Sequence, residues 1–133
     1  MWRVLSIVGL LSLTACGFVH DETLVGRYHL VGVDAREEMM LCWTFDNGSC
    51  HGLGGSTLYA AGYNDRYVVA AIHPQGARTA ATEYLIVTRE PARESWQYGE
   101  PRNIATVTGE AQYDSEKARL GLPDFTVVFD DLK

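Results

Sequence analysis

Seven short runs rich in β-forming residues, most of them closed by a turn signal, make up nearly half of the chain between residues 24 and 129. They are 24–33 (LVGRYHLVGV), 39–45 (MMLCWTF), 56–63 (STLYAAGY), 66–73 (RYVVAAIH), 82–88 (TEYLIVT), 104–107 (IATV) and 124–129 (DFTVVF). Aromatic and β-branched residues recur in these runs, as half-buried pleated strands require. Asp46-Asn47-Gly48, Asn64-Asp65 and Pro74 punctuate them,. Residues 89–103 carry Pro91, Pro101 and many charges, and read as a long surface loop. One stretch has helical character, TGEAQYDSEKARLG at 108–121. Thr108 can cap it, Glu110 suits its positive end, Lys117 and Arg119 suit the other, and Gly121 and Pro123 end it,. The expected fold is α+β: a mostly antiparallel sheet of about six or seven strands, with one C-terminal helix before the last strand.

Ahead of these runs lies a different kind of segment. Arg3 precedes the apolar stretch 4–13, too short to cross a hydrocarbon core that needs about 20 residues, but right for a secretory signal peptide,. Leu13-Thr14-Ala15-Cys16 follows, and it resembles the lipobox of bacterial lipoproteins. That resemblance implies cleavage before Cys16 and a diacylglycerol group, with palmitate among its acyl chains, joined to the Cys16 thiol as a stable thioether. Two or three chains bind a bilayer firmly where one binds marginally, because each buried methylene contributes about 0.8 kcal/mol. The expected organisation is a removed signal peptide at 1–15, a lipid-anchored tether at 16–23 and a single periplasmic domain at 24–133. Gly17, in place of the aspartate that retains many lipoproteins at the inner membrane, favours the outer membrane facing the periplasm.

Removing residues 1–15 leaves enough chain for one domain with a real core. It also takes the formal charge from −6 to −7, since Arg3 is the only charge lost. An acidic chain without a basic cluster is a poor ligand for phosphate backbones, so no nucleic-acid partner is expected. Cys42 and Cys50 flank WTFDNGS, and in an oxidising compartment a bridge across this turn is expected, the alternative being two free buried thiols,. An ideal two-residue Asn47-Gly48 turn would set Cys42 opposite Leu53, so the bridge needs a bulge or a wider loop.

The segments GRYHLVGVDAREEMMLCW, LYAAGYNDRYVVAAIHPQ, TEYLIV and the helix before LGLPDFTVVF together resemble a family of small uncharacterised bacterial lipoproteins. That family has Gly-x-Tyr-x-Leu-Val near its start and Gly-Trp-Asn/Asp-x-x-Tyr-Ile-Val with a later His-Pro in its middle. Tyr63 stands where the family commonly has tryptophan, and Val107-Thr108-Gly109 replaces its usual Gly-Pro. The resemblance implies an address and brings no catalytic residue with it.

Sites of chemistry are sparse. His20, His29, His51 and His73 lack the close pairing of a helix-borne zinc motif,. Met39, Met40, Cys42, Cys50 and His51 are soft ligands of the kind that suit Cu(I), but adjacent strand residues point to opposite faces, so core packing and a disulfide are expected instead,. Ser49 and Ser56 lie near His51 without a nucleophile elbow, and GLGGST at 52–57 lacks the ending of a phosphate loop,. No catalytic residue, metal or cofactor is expected. His73 reads as a strand-end histidine. Trp96 and Tyr98, in the charged loop, are the aromatic residues expected to be exposed and to serve as a contact surface. The functional expectation is a non-enzymatic envelope protein acting through protein contacts, as an accessory, inhibitor or immunity-type factor. The alternative is a lipocalin-like carrier of a small ligand.

Overall fold

The computed structural model describes residues 17–133. The expected signal peptide at 1–15 and the expected lipid-bearing Cys16 lie outside the described residues. Nine strands and two α-helices follow: β1 (Phe18–Val25), β2 (Tyr28–Val33), β3 (Met39–Thr44), β4 (Cys50–Leu53), β5 (Leu58–Tyr63), β6 (Tyr67–Ile72), β7 (Glu83–Thr88), α1 (Pro91–Glu94), β8 (Ile104–Thr108), α2 (Glu110–Leu120) and β9 (Val127–Val128). The α+β class, antiparallel pairing and late helix before a last short strand are all as expected. The strands form two sheets rather than one, ordered β1-β2-β3-β4 and β8-β7-β6-β5-β9.

The additional strands have local causes. The run 24–33 breaks at Gly26-Arg27, where Gly26 takes φ +54° and folds β1 back on β2,. Residues 18–23, expected as tether, therefore pair with β2 as an edge strand. Hydrogen bonding to β2 satisfies the main-chain groups on one side of these residues, and apolar Leu24 near the end of the strand enters the core. A further strand, β4, comes from the glycine-rich region and pairs with β3.

Alternation along each strand builds the interior. Leu24, Tyr28, Leu30, Met39, Leu41, Trp43 and Leu53 of the first sheet meet Leu58, Val68, Ala70, Ile72, Leu85 and Val87 of the second, all buried. The opposite face of the second sheet is covered too. There Tyr67, Val69, Ala71, Tyr84 and Ile86 pack under Tyr113 of α2 and Leu122. Coverage on both faces explains why β6 is apolar over its whole length, YVVAAI, with all six residues buried,. Close approach of the C-terminal segment demands a glycine at 62, because a Cβ there would lie 2.0 Å from the Asp124 carbonyl oxygen.

α2 begins one residue later than the sequence suggests. Thr108 ends β8, and Gly109, at φ +87°, occupies the N-cap with no side-chain capping bond. The strand claims Thr108, so its hydroxyl does not cap the helix. At the other end Gly121 closes α2 in the left-handed conformation, as expected.

Cys42 and Cys50 are bridged, with Cα atoms 5.4 Å apart. The turn is the wider loop that the bridge needed: Phe45 donates to the Ser49 carbonyl across Asp46-Asn47-Gly48, with Gly48 at φ +83°. Cys42 is thus directly opposite Gly52, and Cys50, two residues along on the same face, reaches it diagonally. Replacing both cysteines by serine is expected to lower stability by about 2.5 kcal/mol in the chain-entropy account. Urea unfolding of the oxidised, reduced and double-serine proteins measures this. Equal midpoints for all three would remove the bridge from the stability of the fold.

Candidate contact surface

Strand directions divide the sandwich into two ends. One end holds the start of β1, the end of β2 and the start of β3; the other holds the β1–β2 turn, the β3–β4 turn, the β5–β6 turn and the loop after β7. Trp96 and Tyr98 lie at this second end, 52% and 60% exposed.

Their loop is held by interactions that do not involve them. Arg89, next after β7, forms a fork on Glu94: Nε donates to Oε1 and Nη2 to Oε2, each at 2.7 Å. Both side chains are only 11% exposed. The third arm, Nη1, donates to the Asn64 carbonyl at 2.8 Å and so ties the loop to the β5–β6 turn. The carboxylate bonds keep the guanidinium firmly protonated against the opposing effect of burial. From the first sheet, Arg27 donates to the Glu94 carbonyl at 3.1 Å, to the Thr44 carbonyl at 3.1 Å and to Asp46 at 2.9 Å. Trp43, wholly buried, donates its indole N–H to the Gln97 carbonyl at 2.8 Å, and the Gln97 side chain accepts from the Asp46 amide. Burial, with Glu94 nearby, pushes the Tyr28 hydroxyl far above the usual tyrosine range.

Trp96 and Tyr98 bracket Gln97, so anchoring that residue fixes both. Arg93 lies over the Trp96 ring, 5.3 Å from its centroid, and Phe45 sits 6.1 Å from the Tyr98 ring. The outcome is two exposed aromatic groups on a loop clamped from both sheets. The sequence marks Trp96 and Tyr98 as an aromatic pair in a charged loop, but nothing in it marks the Arg89–Glu94 clamp, Arg27 or Phe45. No local pattern marks a pair five residues apart that becomes buried only when two sheets meet.

The other candidates are dispersed. Met39 lies inside the sandwich, Met40 on the outer face of its sheet, both cysteines are in the bridge, and His51 is exposed. Among the described residues no group of three or more His, Cys, Asp or Glu is placed to hold a metal ion. Ser49 donates to Asn47 in the turn rather than to a histidine. Gly54, in the glycine-rich stretch, is a positive-φ loop position, φ +77°.

His73 directly follows β6 at the first end of the sandwich, 7% exposed and stacked on Tyr59 with 4.3 Å between centroids. Neither ring nitrogen has a hydrogen-bond partner among the described residues. Burial, helped by the positive charge of Arg78, holds its pKa below the ordinary 6.5. The folded state thus binds this proton more weakly than the unfolded chain. The stability attached to neutral His73 is complete above about pH 6.5 and is lost as pH falls below it. His73→Phe, which preserves the stack on Tyr59, is expected to flatten the loss of stability between pH 7 and 5. Unchanged slopes in paired thermal melts would count against that origin.

Comparison with known proteins finds no family model, no characterised sequence and no solved structure to which the chain is similar.

Proposed function

We propose that this chain is a lipid-anchored protein of the bacterial envelope, held through acylated Cys16 at the outer membrane, that acts by protein–protein contact through the Trp96–Tyr98 loop. The observation that carries the contact reading is the rigid display of two large aromatic side chains. Tryptophan and tyrosine dominate binding hot spots, and a loop ordered beforehand loses little entropy on association. β1 adds a spatial argument. At about 3.3 Å per residue it spans roughly 25 Å, so the aromatic end lies a full strand length from residue 18,. A contact made there is clear of the attachment point. A carrier would need enclosed space between the sheets, whereas Tyr28, Met39, Leu41, Trp43 and Leu58 fill that interior. The anchor rests on the lipobox and on the lipoprotein resemblance. Inhibitor, immunity-type factor and assembly accessory all use such a surface.

The test uses the intact chain in cells. A photoreactive phenylalanine analogue at position 96 is expected to yield one discrete cross-linked species, absent with the analogue at exposed Asp114 and lost on adding Tyr98→Ala. Equal labelling at 96 and 114 would remove the contact reading. Feeding an alkyne fatty acid examines the anchor separately: Cys16→Ser should abolish the label and leave an uncleaved precursor, while a serine variant that stays labelled overturns the lipoprotein reading.

A further inference from the structure

The four outer strands of the two sheets are unequally protected. An edge strand presents unpaired main-chain groups, and proteins usually blunt it with charge, bulges or brevity. β1 carries His20, Asp21 and Glu22 and is irregular at two places in its register. β4 has four residues and β9 two. β8, Ile104–Thr108, has none of these devices. Its sequence IATVT is uncharged, it pairs with β7 without a register shift, and Ile104 is 42% exposed.

Its free edge can be specified residue by residue. Thr88 donates to the Asn103 carbonyl and Gly109 to the Thr82 carbonyl, each at 2.9 Å. Antiparallel pairs alternate between hydrogen-bonded and non-bonded positions, so 103, 105, 107 and 109 direct their main chain towards β7. Ile104, Thr106 and Thr108 direct theirs outward.

We propose that β8 pairs antiparallel with β8 of a second copy of this chain, about a two-fold axis at Thr106. In that register Thr106 faces Thr106, Ile104 faces Thr108 and Ala105 faces Val107. The outward main-chain groups meet in reciprocal pairs, as an isologous interface requires. Charge complementarity selects the second copy as occupant. Just beyond the paired strands, the same two-fold brings the Arg102 end of each strand towards the second copy's Glu110, the first residue of α2, once on each side of the axis. Arg102 has a 64% exposed side chain held by Glu90 alone, and Glu110 joins none of the ion pairs among the described residues. No like charges face one another along the strand. Such an axis stands normal to the sheet and keeps both copies of β1 in one layer, so both copies of residue 18 lie on the same side of the assembly. The dimer does not depend on the Trp96–Tyr98 surface, which lies in a separate loop.

Cross-linking in the intact chain tests the pairing. Cα atoms of a hydrogen-bonded antiparallel pair are about 5.5 Å apart, within disulfide reach. Thr106→Cys is expected to give a disulfide-linked dimer of this chain under mild oxidation, and Asp114→Cys on the exposed side of α2 is not. Arg102→Glu in the Thr106→Cys background should reduce the dimer several-fold by setting Glu against Glu, and adding Glu110→Arg should restore it. Thr106→Pro removes only an outward N–H and should leave the melting temperature nearly unchanged while abolishing association. Absence of the Thr106→Cys dimer, capture of a different polypeptide at that position, or a double charge reversal that behaves like the single one overturns the proposal.

Discussion

Replacing Glu94 by alanine is expected to destabilise the protein by about 3–5 kcal/mol, because it leaves the Arg89 guanidinium buried without its counter-charge. The pair is not a surface ion pair. Each partner is 11% exposed, and the fork is bidentate. The remaining bond from Arg89 to the Asn64 carbonyl satisfies one N–H and neutralises nothing. Replacing both residues with leucine should recover most of the loss, since desolvation of the pair offsets much of its attraction. Urea unfolding of the two single variants and the double variant forms the test. A Glu94→Ala loss under about 1 kcal/mol would place the pair with exposed salt bridges and remove its role as a clamp. Loosening of the 89–103 loop should accompany the loss and appear as faster amide exchange at Trp96 and Gly99, whose N–H groups donate within the loop.

Trp43→Ala is expected to cost a similar amount, about 3–5 kcal/mol, through the lost contacts of the ring and the cavity left behind. Trp43 is wholly buried, meets Tyr28 edge-on at 5.2 Å between centroids, and gives its N–H to Gln97. Trp43→Phe separates the two contributions. It keeps an aromatic ring in the core, leaves the Gln97 carbonyl without its donor, and should cost about 1–3 kcal/mol. Tryptophan fluorescence is a poor monitor here, because Trp96 also emits, so far-UV circular dichroism during denaturation is the measurement. A Phe variant as unstable as the Ala variant would show that the hydrogen bond, not the packing, dominates. The Arg89–Glu94 pair ties this loop to the second sheet and Trp43 ties it to the first, so the effects of Glu94→Ala and Trp43→Ala should not add,.

The Trp43 result bears on function as well as stability. Gln97 lies between Trp96 and Tyr98, so releasing its carbonyl loosens both aromatic groups at once. If contact at this loop depends on prior ordering, Trp43→Phe should weaken cross-linking at position 96 although residue 43 is buried. That links a core residue to a surface property through one hydrogen bond.

Short-range physics made several parts of this protein legible before any coordinates. Apolar runs rich in β-branched and aromatic residues, bounded by turn signals, set the strands at 39–44, 58–63, 67–72 and 83–88, because such side chains fit a pleated surface whatever the partner strand,. Tyr113, Gly121 and Pro123 marked the helix and its end by the same kind of local rule. Exposure of Trp96 and Tyr98 followed from their charged, proline-flanked surroundings.

Tertiary structure decided the rest. Residues 18–23 carry charges that read as tether, and they become strand only because β2 offers an edge to pair with. Thr108 could cap a helix or end a strand, and pairing with Glu83 of β7 settles it as strand. Whether the strands form one sheet or two depends on which faces find apolar partners, information spread over distant residues. The clamp on the aromatic loop is the clearest case. Arg27, Trp43, Arg89 and Glu94 are unremarkable as letters, and they act together only after two sheets bring separate stretches to one end. Local backbone preferences are encoded within a few residues, but burial of a charge or closure of a loop is a property of the whole packed chain.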